Sequence, residues 1–136
     1  EIRELVDGLG VRNHCLFLGN RDDVADLYCA CDVTVLSSLY EGTPNALLES
    51  MACGTPVVAT DVSDNSYVVS EGGGGYVVPL GDEQGLADRV SDLLLDNELR
   101  QSMGQQAKFW VETEFSLTRL ADKNAAVYVE RLHSQQ

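Results

Sequence analysis

Two carboxylates, Glu41 and Glu49, stand with seven residues between them in LSSLYEGTPNALLESMACGTPVVATD, Leu36 to Asp61. Glu41 falls on a polar loop, and Glu49 lies within the helix that the loop feeds. Thr43 can cap the orphan amides of that helix, and Pro44 suits its first position, where no donor is needed. At about 1.5 Å of rise per residue, Glu49 sits roughly 7–8 Å beyond the helix start. Free N–H groups at a helix mouth attract an anion, while carboxylates accept hydrogen bonds from hydroxyls. A ligand lying across this mouth would place an anionic group at the amides and hydroxyls at the two acids. A sugar nucleotide has that layout: sugar, diphosphate, ribose. Ser37, Ser38 and Tyr40 line the loop just before Glu41 and are further candidates to touch a sugar.

Holding the acids there requires a strand before the loop and another after the helix. Val33 to Leu36 and Pro56 to Ala59 are apolar runs of strand length that supply both. Upstream, Ile2, Leu5, Val6 and Leu9 recur at helical spacing, and His14 to Leu18 reads as a short buried strand stopped by Gly19-Asn20. Asn20 or Asp22 can cap a helix that turns Val24, Leu27 and Tyr28 inward. Downstream, Ser66 to Ser70 is short enough for a helical turn or an extended piece. Gly72 to Gly75 forms a turn into a fourth strand, Tyr76 to Val78. Three helical faces follow: Leu86, Val90, Leu93 and Leu94, with Asp82 as cap; Leu99, Met103, Ala107, Trp110 and Val111; then Leu117, Ala121, Ala125, Tyr128 and Leu132. Trp110 and Tyr128 are expected in the core. Strands alternating with helices predict an α/β fold: a parallel sheet with helices on both faces and a C-terminal helical tail.

The 136 residues fit one domain, 1–136, and a hydrophobic share of 44% suits a packed core. A formal charge of −13 argues against nucleic acid or an anionic membrane face as a partner. No apolar run approaches the roughly 20 residues of a membrane span. Cys15, Cys29, Cys31 and Cys53 lie in apolar segments without zinc spacing, so buried free thiols, no metal and a reducing, cytoplasmic setting are expected. His14 and His133 have no evident catalytic partner. The chain opens on Glu1, not Met, as an excerpt of a longer protein would.

The run FLGNRDDVADLYCACDVTVLSSLYEGTPNALLESMACGTPVVATDV, Phe17 to Val62, resembles the donor-binding half of family 4 retaining glycosyltransferases, which have the GT-B fold. The resemblance continues through EGGGGYVVPLGD and LADRVSDLL, and more weakly through EFSL. It implies that Glu41, the catalytic candidate, contacts hydroxyls of the donor sugar and that Glu49 holds the ribose diol. The backbone around the helix start (Gly42, Thr43, Asn45, Ala46 and Leu47) would take the diphosphate, with the amides of Asn45 and Ala46 as donors. Asn20, Arg21 and Asp23 would frame the base. The donor would be a UDP-, GDP- or ADP-sugar, the acceptor a glycan or lipid, and no cofactor is implied. In a full-length enzyme, a peripheral position at the inner membrane face is implied too.

Two departures from the family pattern stand out. Thr43-Pro44-Asn45 replaces an aromatic and a second glycine, and Pro44 has no amide to offer. The front of the donor half, its first two strands with a Gly-Arg pair and a nearby Lys, is missing, as is the N-terminal acceptor domain. In a 3-2-1-4-5-6 sheet the missing strands are central, which predicts a partial Rossmann-like sheet with an open edge at Val33 to Leu36, so that the isolated chain either closes the gap internally or self-associates with another copy. The isolated fragment is expected to be inactive. The alternative from another class is a non-catalytic nucleotide-binding or interaction module of the same fold. A sugar-nucleotide epimerase and a receiver-type signalling domain fit the motifs less well.

Overall fold

The computed structural model describes residues 1–42 and 44–133. In chain order it holds helix α1 (Ile2–Gly8), a 3₁₀ turn (Arg12–His14), α2 (Val24–Ala30), strand β1 (Thr34–Leu36), α3 (Asn45–Ala52), β2 (Val57–Thr60), α4 (Asn65–Glu71), β3 (Gly75–Val78), α5 (Glu83–Leu95), α6 (Asn97–Glu114) and α7 (Leu117–His133). Thr43, the expected cap, lies outside the described residues, as do the side chains of Leu132 and His133.

The three strands are parallel in the order β1-β2-β3, with Thr34 opposite Val57 and Val57 opposite Gly75. All four residues of β2 are buried, as a continuous apolar run in the middle of a parallel sheet should be. Side chains alternate across the sheet, so Val57 and Ala59 share one face and Val58 takes the other. The first face meets Leu47 and Met51 of α3, Val68 and Val69 of α4, and Ala107 and Val111 of α6, which together form the core. Across the sheet, α5 packs on β2 and β3 and buries Leu93 completely. Helices therefore cover both faces. A Cβ at Gly75 would lie 1.8 Å from the Val57 carbonyl oxygen, so only glycine allows β3 to start this close to β2. The glycine run is the turn expected, with Gly73 at φ +56°.

Capping explains the long helices. Asp82 accepts from the Gly85 amide at 2.9 Å, and Asp96 accepts from the Leu99 amide at 2.9 Å. Arg100 of α6 then donates to the Leu93 carbonyl at 2.9 Å and pairs with Asp32 at 3.3 Å, tying the α5–α6 corner to the segment entering β1.

Several expectations need correction. His14 to Leu18 is not a strand: it is the end of the 3₁₀ turn followed by backbone that joins no ladder, with Leu16 83% exposed. A buried parallel strand needs a ladder on its flank, and the sheet ends at β1. Phe17 instead lies beneath the guanidinium groups of Arg3 and Arg12, at 4.3 and 5.2 Å. Among the described residues the sheet so has three strands, not four, and β1 lies at an open edge, where Val35 is 43% exposed. At α2 the cap position belongs to Asp23, not Asn20 or Asp22. Pro44 is the cap of α3, not its first residue, and its carbonyl accepts from Leu47 and Leu48 at 3.0 and 3.3 Å. Leu94 is exposed on α5, as are Ile2, Leu5 and Leu9 at the N-terminus and Leu117 on α7. Tyr128, expected inside, is 72% exposed, because the described residues bring nothing over that face of α7. Trp110 is half-buried between Tyr67 and Phe115, with ring centroids 6.2 and 5.3 Å away. The cysteines are free, but Cys29 and Cys31 are exposed and Cys15 and Cys53 only partly covered.

Candidate functional site

The loop leaving β1 is fixed by hydrogen bonds that the sequence motif alone does not contain. Thr60, at the carboxyl end of β2, donates its hydroxyl to the Ser38 carbonyl at 2.7 Å. Asn65, fully buried, donates its side-chain amide to the Thr60 carbonyl at 2.9 Å. The loop is thus anchored to the sheet. Ser38 Oγ then donates to Glu41 Oε1 at 2.5 Å, holding one carboxylate oxygen in place. Ser63, from the loop after β2, grips the main chain of the same residue twice. Its hydroxyl accepts from the Glu41 amide at 3.3 Å and donates to the Glu41 carbonyl at 2.5 Å. Ser63 itself sits at φ +50°, a conformation uncommon for a residue with a side chain. Glu41 is half-buried and Gly42 exposed.

Buried Pro44 caps α3 and leads into exposed Asn45 and half-buried Ala46. Among the described residues, the Asn45 and Ala46 amides have no acceptor, whereas the Leu47 amide donates to the Pro44 carbonyl at 3.0 Å and the Leu47 side chain is core. Ser50 locks the helix from beneath, donating to Thr34 Oγ1 at 2.8 Å and accompanied by buried Met51. Glu49 is exposed on the flank toward α2. There it adds to the burial that pushes the Tyr28 phenol up from its ordinary value, burial being the larger cause. Thr55 donates to the Tyr28 carbonyl at 2.7 Å and so ties α2 to the end of α3.

Arg21 and Asp23 are brought together, but with each other. Arg21 Nε donates to Asp23 Oδ1 at 2.6 Å, and Nη2 to Oδ2 completes a two-pronged pair. The pair raises the guanidinium pKa and lowers that of the carboxyl. Asn20 beside them is exposed. Ser38 was among the loop residues the sequence singled out. Ser63, Thr60 and Asn65 were not, and the only available signal was the polar run DVSDN directly after a buried strand.

The three strands also end at a crevice of about 190 Å³ lined by Ser37, Thr60, Leu80, Asp82, Glu83 and Leu86. This is the end of an open α/β sheet where ligands collect. Among the described residues, no group of three or more His, Cys, Asp or Glu could hold a metal ion. Nor is any described helix long and apolar enough to cross a membrane.

A parallel sheet with helices on both faces, and with a loop-borne carboxylate and the start of a helix beyond its carboxyl ends, is a Rossmann-like domain. The chain belongs to the glycosyl transferases group 1 family, which residues 1–110 match. It is 35% identical over 135 residues to the N-acetyl-alpha-D-glucosaminyl L-malate synthase of Bacillus anthracis, a match covering 99% of this chain and 35% of that protein. The Anabaena protein HepE, solved in complex with UDP, superposes with a TM-score of 0.89 at 25% identity, over 95% of this chain and 36% of its own. The C-terminal domain of the group 1 glycosyl transferase LpcC from Francisella tularensis superposes with a TM-score of 0.74 at 25% identity, over 85% of this chain and 61% of its own. The chain corresponds to the C-terminal domain of GT-B glycosyltransferases, and it spans about a third of the length of the curated relatives it matches.

Proposed function

We propose that this chain is the donor-binding part of a retaining glycosyltransferase that moves a sugar from a nucleoside diphosphate to a glycan or lipid acceptor. Residues 1–136 are then one domain, the truncated nucleotide-sugar-binding half. The observation that carries the reading is the arrangement around α3. Glu41 is held by Ser38 and Ser63 at one side of the helix mouth, Glu49 is exposed further along, and the Asn45 and Ala46 amides lie between them. The amides, with Gly42, Thr43 and Leu47 shaping the backbone, receive the diphosphate. Glu49 accepts from the ribose diol and Glu41 from hydroxyls of the sugar. Arg21 and Asp23 frame the base as a paired unit. Oriented dipoles aimed at a departing diphosphate stabilise its developing charge without reorganising during the reaction. A relative holding UDP supports the nucleotide as ligand.

Transfer also needs an acceptor half closing on the donor, so the isolated chain binds donor weakly and transfers nothing. Free cysteines fit a reducing, cytoplasmic setting, at the inner membrane face for a lipid acceptor. The open edge at β1 would pair with the rest of the longer protein or with a second copy.

The test is a pair of variants in the longer protein, followed by calorimetry with UDP, GDP and ADP and by a transfer assay. Glu49→Ala should weaken nucleotide binding by about 1–3 kcal/mol, the scale of a charge-assisted hydrogen bond. Glu41→Ala should lower turnover more than nucleotide affinity. No affinity for any of the three nucleotides would leave a non-catalytic module of the same fold.

A further inference from the structure

Cys53 stands directly after α3, and its Sγ lies 3.5 Å from the carbonyl oxygen of Ala25 in α2. Cys29 is four residues beyond Ala25 on the same helix. Side chains in a helix lean toward its N-terminus, so that of Cys29 lies over the turn whose carbonyl Cys53 reaches. The two sulfurs are consequently neighbours, brought together by the packing of α2 on α3 from positions far apart in sequence. Cys29 is exposed and Cys53 partly covered, so a small oxidant meets Cys29 first. Cys31, though only two residues away, has left the helix in extended backbone.

We infer that Cys29 and Cys53 form a redox modification site: hydrogen peroxide oxidises Cys29, and Cys53 resolves it to a disulfide that clamps α2 onto α3. In the first step the Cys29 sulfur attacks the peroxide, the O–O bond breaks, and a sulfenic acid forms as one water leaves with the thiol proton. In the second, the Cys53 sulfur attacks the Cys29 sulfur, the S–O bond breaks, and a second water carries away the Cys53 proton. Two thiols lose two electrons and one peroxide becomes two waters. The nearby Cys29 side chain, followed by burial, also pushes the Cys53 thiol up to about 11, in keeping with the two side chains lying close together. The clamp joins α2, which begins at the Arg21–Asp23 pair, to the helix that carries Glu49. It stands whether or not the donor-site reading does, because it depends on the two sulfurs alone.

The experiment treats the whole chain with hydrogen peroxide under native conditions, blocks remaining thiols with an alkylating agent, and maps the products by mass. Cleavage must be at Glu and Asp, since no Lys or Arg lies between Arg21 and Arg89. Wild type and C31S should each lose two hydrogens and two alkylatable thiols, and yield a peptide linking the segment after Asp26 to the one after Glu49. C29S and C53S should yield no such link while staying folded in reductant, with the far-UV circular dichroism of wild type. Amide exchange through α2 should slow in the oxidised wild type and stay unchanged in C53S. A link from Cys53 to Cys31 or Cys15 would overturn the inference. So would oxidation of Cys29 to the sulfinic acid without a link, or four thiols still reactive after peroxide.

Discussion

Replacing Gly104 by alanine sets two effects of known size against each other. Gly104 lies inside α6, where alanine is worth about 1 kcal/mol more than glycine in helix propensity. Its position faces the turn that ends α3, however. A Cβ there would lie 2.0 Å from the Gly54 carbonyl oxygen and 3.0 Å from the Gly54 carbonyl carbon. A carbon and a carbonyl oxygen need about 3.3 Å, so helix and turn would have to separate by more than about 1 Å. Neither partner is the end of a flexible side chain. Gly54 holds φ +80°, and buried Ala107 lies one turn along α6. Overpacking of this kind costs about 1–3 kcal/mol, and a clash between two backbones belongs at the upper end. The net expectation is a loss of about 1–2 kcal/mol, equivalent to a fall of roughly 3–10 °C in Tm for a chain of this size. Urea and thermal unfolding of G104A measure it directly. G8A is the matched control, since a Cβ at Gly8 meets nothing within 4 Å, and it should be neutral or slightly stabilising. A G104A chain melting at or above the wild-type temperature would refute the reasoning.

Other expected outcomes follow from the same contacts. Ser63→Ala removes both hydrogen bonds to the Glu41 main chain and should cost about 1 kcal/mol in urea unfolding, with faster hydrogen exchange at the Glu41 amide. Ser63→Gly should cost less, because glycine adopts the left-handed conformation freely. Cys53, with its thiol raised from 9 to about 11 in the fold, binds its proton more tightly folded than unfolded. Its contribution is therefore complete below pH 9 and lost as pH rises through 11. Melting curves across that window should fall more steeply for wild type than for C53S, and parallel slopes would contradict the assignment.

The features legible in the sequence were those fixed by local chemistry. Asp82 precedes the periodic apolar positions of α5 and does cap that helix. The run at Pro56 reads as a buried strand because β2 is covered on both faces. What failed depended on distant partners. His14 to Leu18 has the composition of a strand, yet composition cannot supply the ladder a strand requires. The periodic face of α7 is genuine, but Tyr128 remains exposed because nothing described lies over it. At the candidate site, the acids and the helix between them were visible as a motif. Ser63 was not, since its contact with Glu41 spans 22 residues and needs a positive φ that nothing in a serine announces.

The most direct test of the donor-site account is a titration of the isotope-labelled chain with UDP, GDP and ADP, followed by NMR at each backbone amide. Weak binding suffices for this method. The account predicts that one nucleotide shifts the amides of Asn45, Ala46 and Glu49, and that Glu49→Ala weakens those shifts without altering the fold. Contradiction would be an absence of shifts with all three nucleotides, or shifts gathered at the crevice around Leu80 and Leu86 that Glu49→Ala leaves intact.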